Sequence, residues 1–286
     1  MSEHIHNKLY IHCIYIYIEY MLHPTLYDSI IYVEWFVPEF IHLVNMAKYG
    51  SDEDFWKCIQ TETFEVYSFQ VFSPLFLKWM TEELEHLYHS SDVKINRPNS
   101  MNNYGIILNE VGMRDWLTTF QQDCLAPICA RLFPVEGSQL NSHHSFIVRY
   151  QADEDRSLDM HTDDSDVTFN ACIGHHFTGS TLSFCGNMGT PDHRKFSHTY
   201  KHVHGRAVLH KGTRRHGADS LQSGVRQNII MWNRNHTFQK DKRYVFESGE
   251  PDVICVSDTH DLDHDYYKPP TGKYQPKRWC PPYLNR

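Results

Sequence analysis

The chain reads as a mainly β protein with supporting helices, and three observations carry that reading. After Gly137 the polar and apolar pattern takes a period of two: Phe146, Val148 and Tyr150 share one face of a first strand, and Thr168, Asn170 and Cys172 share one face of a second. Arg226, Asn228, Ile230 and Trp232 share one face of a last strand. Gly179, Gly186, Gly189, Gly205, Gly212 and Gly224 break the intervening sequence into short strands, as a β-sandwich or jelly roll requires. Upstream of Gly137 the period is helical instead, and two amphipathic stretches there each need a sheet to cover.

In chain order, Leu9 to Leu22 is rich in Ile and Tyr but interrupted by His12, Tyr15, Tyr17 and Glu19. It is too broken for a membrane span and lacks the basic, apolar and small-residue parts of a secretory signal. No membrane association is expected, and a cytoplasmic or nuclear location is. Residues 1–60 carry no repeat and no readable role. Ser73 before Pro74 is an N-cap with proline at the first helical position, and Phe76, Met80, Leu84, Leu87 and Tyr88 then form one stripe, ending near Ser90. Met113, Trp116, Leu117, Phe120 and Cys124 form a second stripe, which Pro127 kinks or restarts. Residues 61–139 are therefore a helical support region and 140–236 the β domain. Beyond His236 the chain is polar and then proline-rich (Pro269, Pro270, Pro276, Pro281, Pro282), so 237–286 reads as a tail with little regular structure.

Composition narrows the function. The 286 residues suffice for one well-buried domain with accessory helices. Lys and Arg number 27 against 35 Asp and Glu, a net charge of −8, and the basic residues form no stripe that could track phosphates. Nucleic acid is not expected as a partner. The 8 cysteines include no CxxC pair, which argues against zinc knuckles and for a reducing compartment.

Chemistry is concentrated in His161-Thr162-Asp163, His216 and Arg226. Two histidines and one carboxylate can occupy one face of an octahedral ferrous ion and leave the remaining positions open. His161 and Asp163 stand two apart, so a strand running through both points them to one side. Asp159 satisfies the same argument, and Asp159, Asp163, Asp164 and Asp166 also read as a solvated acidic turn. Arg226 lies in an apolar, β-branched run that looks buried, and a buried guanidinium needs an anionic partner, either a core carboxylate or a ligand. With 21 histidines in the chain, most must be structurally ordinary. His202, in a loop over the sheet, belongs to a group with no pattern that assigns a role. The run His260-Asp261-Leu262-Asp263-His264-Asp265 could hold a metal adventitiously but has no arginine strand after it.

This ordered set resembles the core of the Fe(II)- and 2-oxoglutarate-dependent dioxygenases, in their prolyl 4-hydroxylase-like branch. Phe146 to Tyr150, Val167 to Leu182, and Gly205 to Gly212 leading to His216-Gly217 and Gly224-Val225-Arg226 carry the likeness over roughly residues 140–235. Arg97-Pro98-Asn99-Ser100-Met101-Asn102-Asn103-Tyr104-Gly105 and Arg226 to Trp232 add a narrower likeness to the oxygenase domain-containing protein 2 type, over about 65–236.

The resemblance implies a double-stranded β-helix, the jelly roll of that family. It selects Asp163 over Asp159, because the carboxylate follows the histidine, and His216 over His210, because the distal histidine precedes the arginine by about ten residues. His210 then reads as an ordinary structural or surface histidine. The metal ligands implied are His161, Asp163 and His216. Arg226 would take the distal carboxylate of 2-oxoglutarate, with Tyr150 donating to the co-substrate and Thr168, Asn170 and Trp232 lining the barrel beside it. Cys172 departs from the pattern, standing where some relatives have a tyrosine. Fe(II), 2-oxoglutarate and O2 are the implied cofactor and co-substrates, and the likeness leaves room for L-ascorbate. The implied reaction is hydroxylation of a protein side chain or small metabolite, releasing succinate and CO2. The competing reading is a catalytically inactive jelly-roll module that binds metal or a protein. Arg97 to Gly105, crowded with Asn99, Asn102 and Asn103, is either an ordinary turn or a segment at the barrel mouth.

Overall fold

A computed structural model describes residues 21–239 apart from 92 and 175. Most of the Leu9 to Leu22 stretch, the His260 to Asp265 run and the proline-rich tail lie outside the described residues.

Thirteen strands are present among the described residues: β1 Gln60–Thr63, β2 Val66–Gln70, β3 Gly105–Ile107, β4 Ser142–Tyr150, β5 Leu158–His161, β6 Val167–Cys172 and β7 Phe177–Gly179. The series continues with β8 Leu182–Asn187, β9 His198–Tyr200, β10 Arg206–Lys211, β11 Arg214–Ala218, β12 Leu221–Gly224 and β13 Arg226–Arg234. A seven-stranded antiparallel sheet runs β1-β2-β10-β6-β13-β4-β3. A four-stranded sheet, β5-β11-β8-β9, and the β12-β7 pair complete the β structure. The architecture is mainly β with supporting helices, a double-stranded β-helix.

Alternation along each central strand sorts side chains between two cores. Phe146, Val148 and Tyr150 of β4, Val208 of β10, and Ile230 and Trp232 of β13 join Leu182, Phe184, Tyr200 and Ala218 in one buried cluster. Their neighbours Ile147, Phe169, Ala171, Leu209, Ile229 and Met231 point the other way, into a second cluster beneath the helices. The large sheet is thus apolar on both faces, as a sheet covered on both sides must be. Each fully buried large side chain contributes about 1.5–3 kcal/mol of transfer free energy.

The helical layer is α1 Pro38–Tyr49, α2 Asp52–Lys57, α3 Pro74–His89, α4 Arg114–Phe120 and α5 Ala126–Leu132. Ser73 caps α3, its Oγ accepting from the Phe76 amide at 3.3 Å. Phe76, Met80, Leu84 and Leu87 are buried along the expected stripe. The second stripe is two helices joined by a π-helical turn, Gln121–Leu125, and Pro127 stands in the first turn of α5. The wide turn accommodates the proline without breaking the rod. It also directs Gln121 Nε2 to the Ser142 carbonyl and to Asn233 Oδ1, each at 2.8 Å, tying the helices to β4 and β13.

Two features were not visible in the periodicity. The large sheet draws β1, β2 and β3 from upstream of the 140–236 block, strands too short to show alternation. Residues 21–60 are also integral to the core, since Trp35, Phe36 and Phe40 pack on Phe72, Phe76, Trp116 and Phe120. Buried Glu83 of α3 holds this segment in place, accepting from the His23 amide at 2.6 Å and from the Tyr27 hydroxyl at 2.8 Å.

Candidate functional site

A narrow cavity opens between the two sheets, and His161, Asp163, His216, Arg226, Tyr150, Thr168, Asn170 and Trp232 all line it. His161 ends β5, and His216 is its register partner on β11, so two positions far apart in sequence become direct cross-strand neighbours. Asp163 sits in the turn after β5, its amide donating to the Gly212 carbonyl at 2.9 Å. That approach depends on Gly212, because a Cβ there would meet the Ser165 carbonyl oxygen at 1.9 Å.

One ligand atom from each of His161, Asp163 and His216 lies within 4.8 Å of the others. His161 Nε2 is 3.3 Å from Asp163 Oδ1, and His216 Nε2 is 3.7 Å from Asp163 Oδ2. His161 Nδ1 donates to the Asp159 carbonyl at 2.7 Å, and His216 Nδ1 to the Arg214 carbonyl at 2.9 Å. A carbonyl can only accept, so each neutral ring carries its hydrogen on Nδ1 and turns the Nε2 lone pair toward the carboxylate. Burial pushes His216 down to about 3, which keeps that lone pair unprotonated. The Asp163 carboxyl lies below the usual range although burial opposes its charge, so it is ionised. Thr168 Oγ1 donates to Asp163 Oδ2 at 2.6 Å and so orients the carboxylate. Two neutral imidazoles and an ionised carboxylate fit a divalent, octahedral metal such as Fe(II).

The exposed acidic-turn reading describes Asp164, whose side chain is 77% exposed and pairs with Arg234, but not Asp163, which is 4% exposed. Asp159 contributes its carbonyl to His161. His210 is fully buried rather than on the surface, stacked edge-on against His216 with Nε2 4.0 Å from Asp163 Oδ2. Cys172 does not line the cavity; its thiol, pushed up to about 12 by burial, donates to the Gly174 carbonyl at 3.2 Å.

Arg226 opens β13 opposite Tyr150, the last residue of β4. It is 1% exposed, and its guanidinium carbon lies 4.2 Å from the centre of the Tyr150 ring. Nη1 donates to the Ser180 carbonyl at 2.8 Å and to His202 Nε2 at 3.0 Å, both uncharged acceptors. Arg226 makes no ion pair among the described residues, and its Nε has no partner. A buried cation with no ion-pair partner among the described residues, at the edge of a cavity with a metal-type cluster, fits an anionic ligand.

The segment 97–105 reaches the cavity through Asn99, Met101 and Asn102. Asn99 Oδ1 accepts from the Met101 and Asn102 amides at 2.8 Å each, and Asn99 Nδ2 donates to Asn102 Oδ1 at 3.1 Å. Asn102 Nδ2 is thereby aimed at the Tyr150 hydroxyl oxygen, 3.0 Å away. Tyr104 points elsewhere and is 41% exposed. His202 and Ser180, which hold Arg226, escaped the sequence reading, since nothing about one histidine among several in a loop marks it.

An OGFOD2-like domain model matches residues 16–138, so the upstream segment that sequence patterns left unread belongs to a recognised domain. The "2-oxoglutarate and iron-dependent oxygenase domain-containing protein ICU11" of Arabidopsis thaliana is 39% identical over 188 residues, covering 63% of this chain and 47% of the relative. The human "2-oxoglutarate and iron-dependent oxygenase domain-containing protein 2" is 35% identical over 218 residues, 74% of this chain and 61% of the relative. The chain therefore spans about half to three fifths of the length of these relatives. A prolyl 4-hydroxylase structure from Phytophthora capsici aligns with 14% identity and a TM-score of 0.48, covering 72% of this chain and 68% of that one. The chain thus carries an OGFOD2-like domain and is similar in sequence to 2-oxoglutarate and iron-dependent oxygenases, and its jelly roll encloses a His-Asp-His cluster. Within that class its relatives are of the domain-containing protein 2 type. Among the described residues no helix is long and apolar enough to cross a membrane.

Proposed function

We propose that the protein is an Fe(II)- and 2-oxoglutarate-dependent dioxygenase that hydroxylates a protein side chain or a small metabolite, with protein preferred. The observation that carries this reading is the shared cavity of Arg226, a buried cation with no ion pair among the described residues, and the cluster of His161, Asp163 and His216. His161 Nε2, an Asp163 oxygen and His216 Nε2 would hold the iron, and Arg226 would hold the distal carboxylate of the co-substrate. Iron and 2-oxoglutarate, when bound, supply the oxidation of substrate by dioxygen, with the oxo acid leaving as succinate and CO2.

The chain's own residues bind, orient and exclude water. The Asp159 and Arg214 carbonyls fix the imidazole tautomers, and Thr168 fixes the carboxylate. Tyr150 accepts from Asn102 and so has its own hydroxyl hydrogen to donate to the co-substrate. Asn170 and Trp232 line the same space, while Phe146, Val148, Leu182 and Ile230 keep it apolar, which strengthens the clamp's electrostatics. Asp163 would supply the third protein ligand to the iron, a ligand set suited to hydroxylation. The protein preference follows the prolyl 4-hydroxylase-like pattern and the scattered placing of basic residues in a sequence of net charge −8.

The test is Fe(II)-dependent release of succinate from 2-oxoglutarate, first alone and then with peptide and metabolite panels, followed by mass spectrometry for an added oxygen. Failure of reduced, iron-replete protein to decarboxylate 2-oxoglutarate would return the reading to a non-catalytic metal-binding or protein-interaction module.

A further inference from the structure

Arg226 has a second layer of organisation beyond the anion it is proposed to bind. Its Nη1 carries two hydrogens, and the two acceptors are a backbone carbonyl, that of Ser180, and an imidazole, that of His202. Ser180 is a non-glycine residue at φ 53, in the left-handed region, and its carbonyl accepts from the guanidinium. His202 follows β9 and packs edge-on to Tyr200 and Phe177, with ring centroids 5.5 and 6.3 Å away. A guanidinium only donates, so His202 Nε2 must present its lone pair and the neutral ring carries its hydrogen on Nδ1, 3.3 Å from the Asn228 side-chain amide, whose oxygen must then face the ring. Burial and the adjacent Arg226 charge hold His202 well below the ordinary histidine range, consistent with that state. Asp219, a carboxylate that acts on Arg226, is occupied by hydrogen bonds from Thr181 and Ser183, and no ion pair joins the two.

We infer that His202 is a positioning residue for the anion clamp: it fixes the plane of the Arg226 guanidinium through an uncharged acceptor, leaving the positive charge available for the carboxylate of the co-substrate. The inference rests on the co-substrate reading above. A carboxylate in the same place would orient the arginine equally well but neutralise it. Acceptor strength and charge thus make different demands, and substitutions at residue 202 separate them.

Two measurements test this. In the wild-type protein without ligand, nitrogen NMR of the His202 ring is expected to show the hydrogen on Nδ1 and the lone pair on Nε2; a hydrogen on Nε2 overturns the inference. Calorimetric titration of 2-oxoglutarate into Mn(II)-loaded protein then compares variants whose folding is checked by thermal melting. H202Q, which can place an amide oxygen near the Nε2 position, is expected to bind close to wild type. H202L, which cannot accept, should weaken binding on the order of tenfold to a hundredfold. H202D should weaken it at least as much as H202L although it can accept, because it pairs with the cation. Equal affinities in all variants, or H202D binding as well as H202Q, would overturn the inference while leaving the co-substrate reading intact. Wild-type protein that takes up no 2-oxoglutarate would instead overturn the co-substrate reading and, with it, the role proposed for His202. Should H202L fail to fold, the contrast between H202Q and H202D and the ring tautomer still decide.

Discussion

Arg226 and Tyr150 are register partners at the adjoining ends of β13 and β4, and the guanidinium carbon lies 4.2 Å from the centre of the tyrosine ring. Pairing the strands stacks a planar cation on a π face, which favours the charge without neutralising it. Arg226→Ala is therefore expected to raise the 2-oxoglutarate concentration needed for half-maximal turnover by orders of magnitude, since losing one partner of a desolvated charged pair costs about 2–5 kcal/mol. Arg226→Lys should restore only part of it, having neither the fork nor the planar stack. An unchanged requirement in Arg226→Ala would assign the carboxylate to another residue.

His161→Ala and His216→Ala should each abolish Mn(II) binding, read by electron paramagnetic resonance, and abolish turnover. Circular dichroism should remain that of the parent, because both rings face the cavity. Retained activity in both variants would move the metal elsewhere.

Asn102 and Tyr150 form one buried hydrogen bond, so their substitutions should not be additive. Asn102→Ala leaves the tyrosine hydroxyl without its donor, and Tyr150→Phe removes the hydroxyl itself; each should weaken 2-oxoglutarate binding by about 1–3 kcal/mol. The double variant should lose clearly less than the two losses combined. Full additivity in calorimetric titrations would mean that the two act independently.

Stability should fall in acid ahead of ordinary carboxylate titration. Burial pushes His143 down to about 4, while its hydrogen bonds to Thr118 and Ser145 hold the ring in place. Unfolded, the same ring takes up a proton near the ordinary histidine value of about 6.5. The unfolded state thus binds more protons between about 4 and 6.5, so this contribution is fully present above that window and is lost as the pH falls through it. Melting temperatures measured from pH 7.5 to 5 should decline, and His143→Gln should flatten the decline. An identical slope in the variant would exclude His143 as a source.

Much of this molecule was legible before folding. The period-two faces of β4, β6 and β13 survive residue for residue, because alternation is a local property of an extended backbone and each face has its own core to fill. The α3 stripe and its Ser73 cap are equally local. Spacing put Asp159 and Asp163 equally on the His161 side of a strand and the resemblance chose Asp163, while Arg226 could be marked as needing an anion from the apolar run around it. Tertiary structure decided the rest. It set His216 opposite His161, which the residues between them do not foretell and which follows from the β5–β11 register. It buried Asp163 and left Asp164 exposed, which a run of aspartates does not reveal. It selected His202 from a loop crowded with histidines by bringing that loop to the end of β13, and it brought Asn102 to Tyr150 from 48 residues away. Periodicity encodes which way a side chain points; only the closing of the two sheets determines what it meets, because those partners are set by register and loop path rather than by the nearby chain.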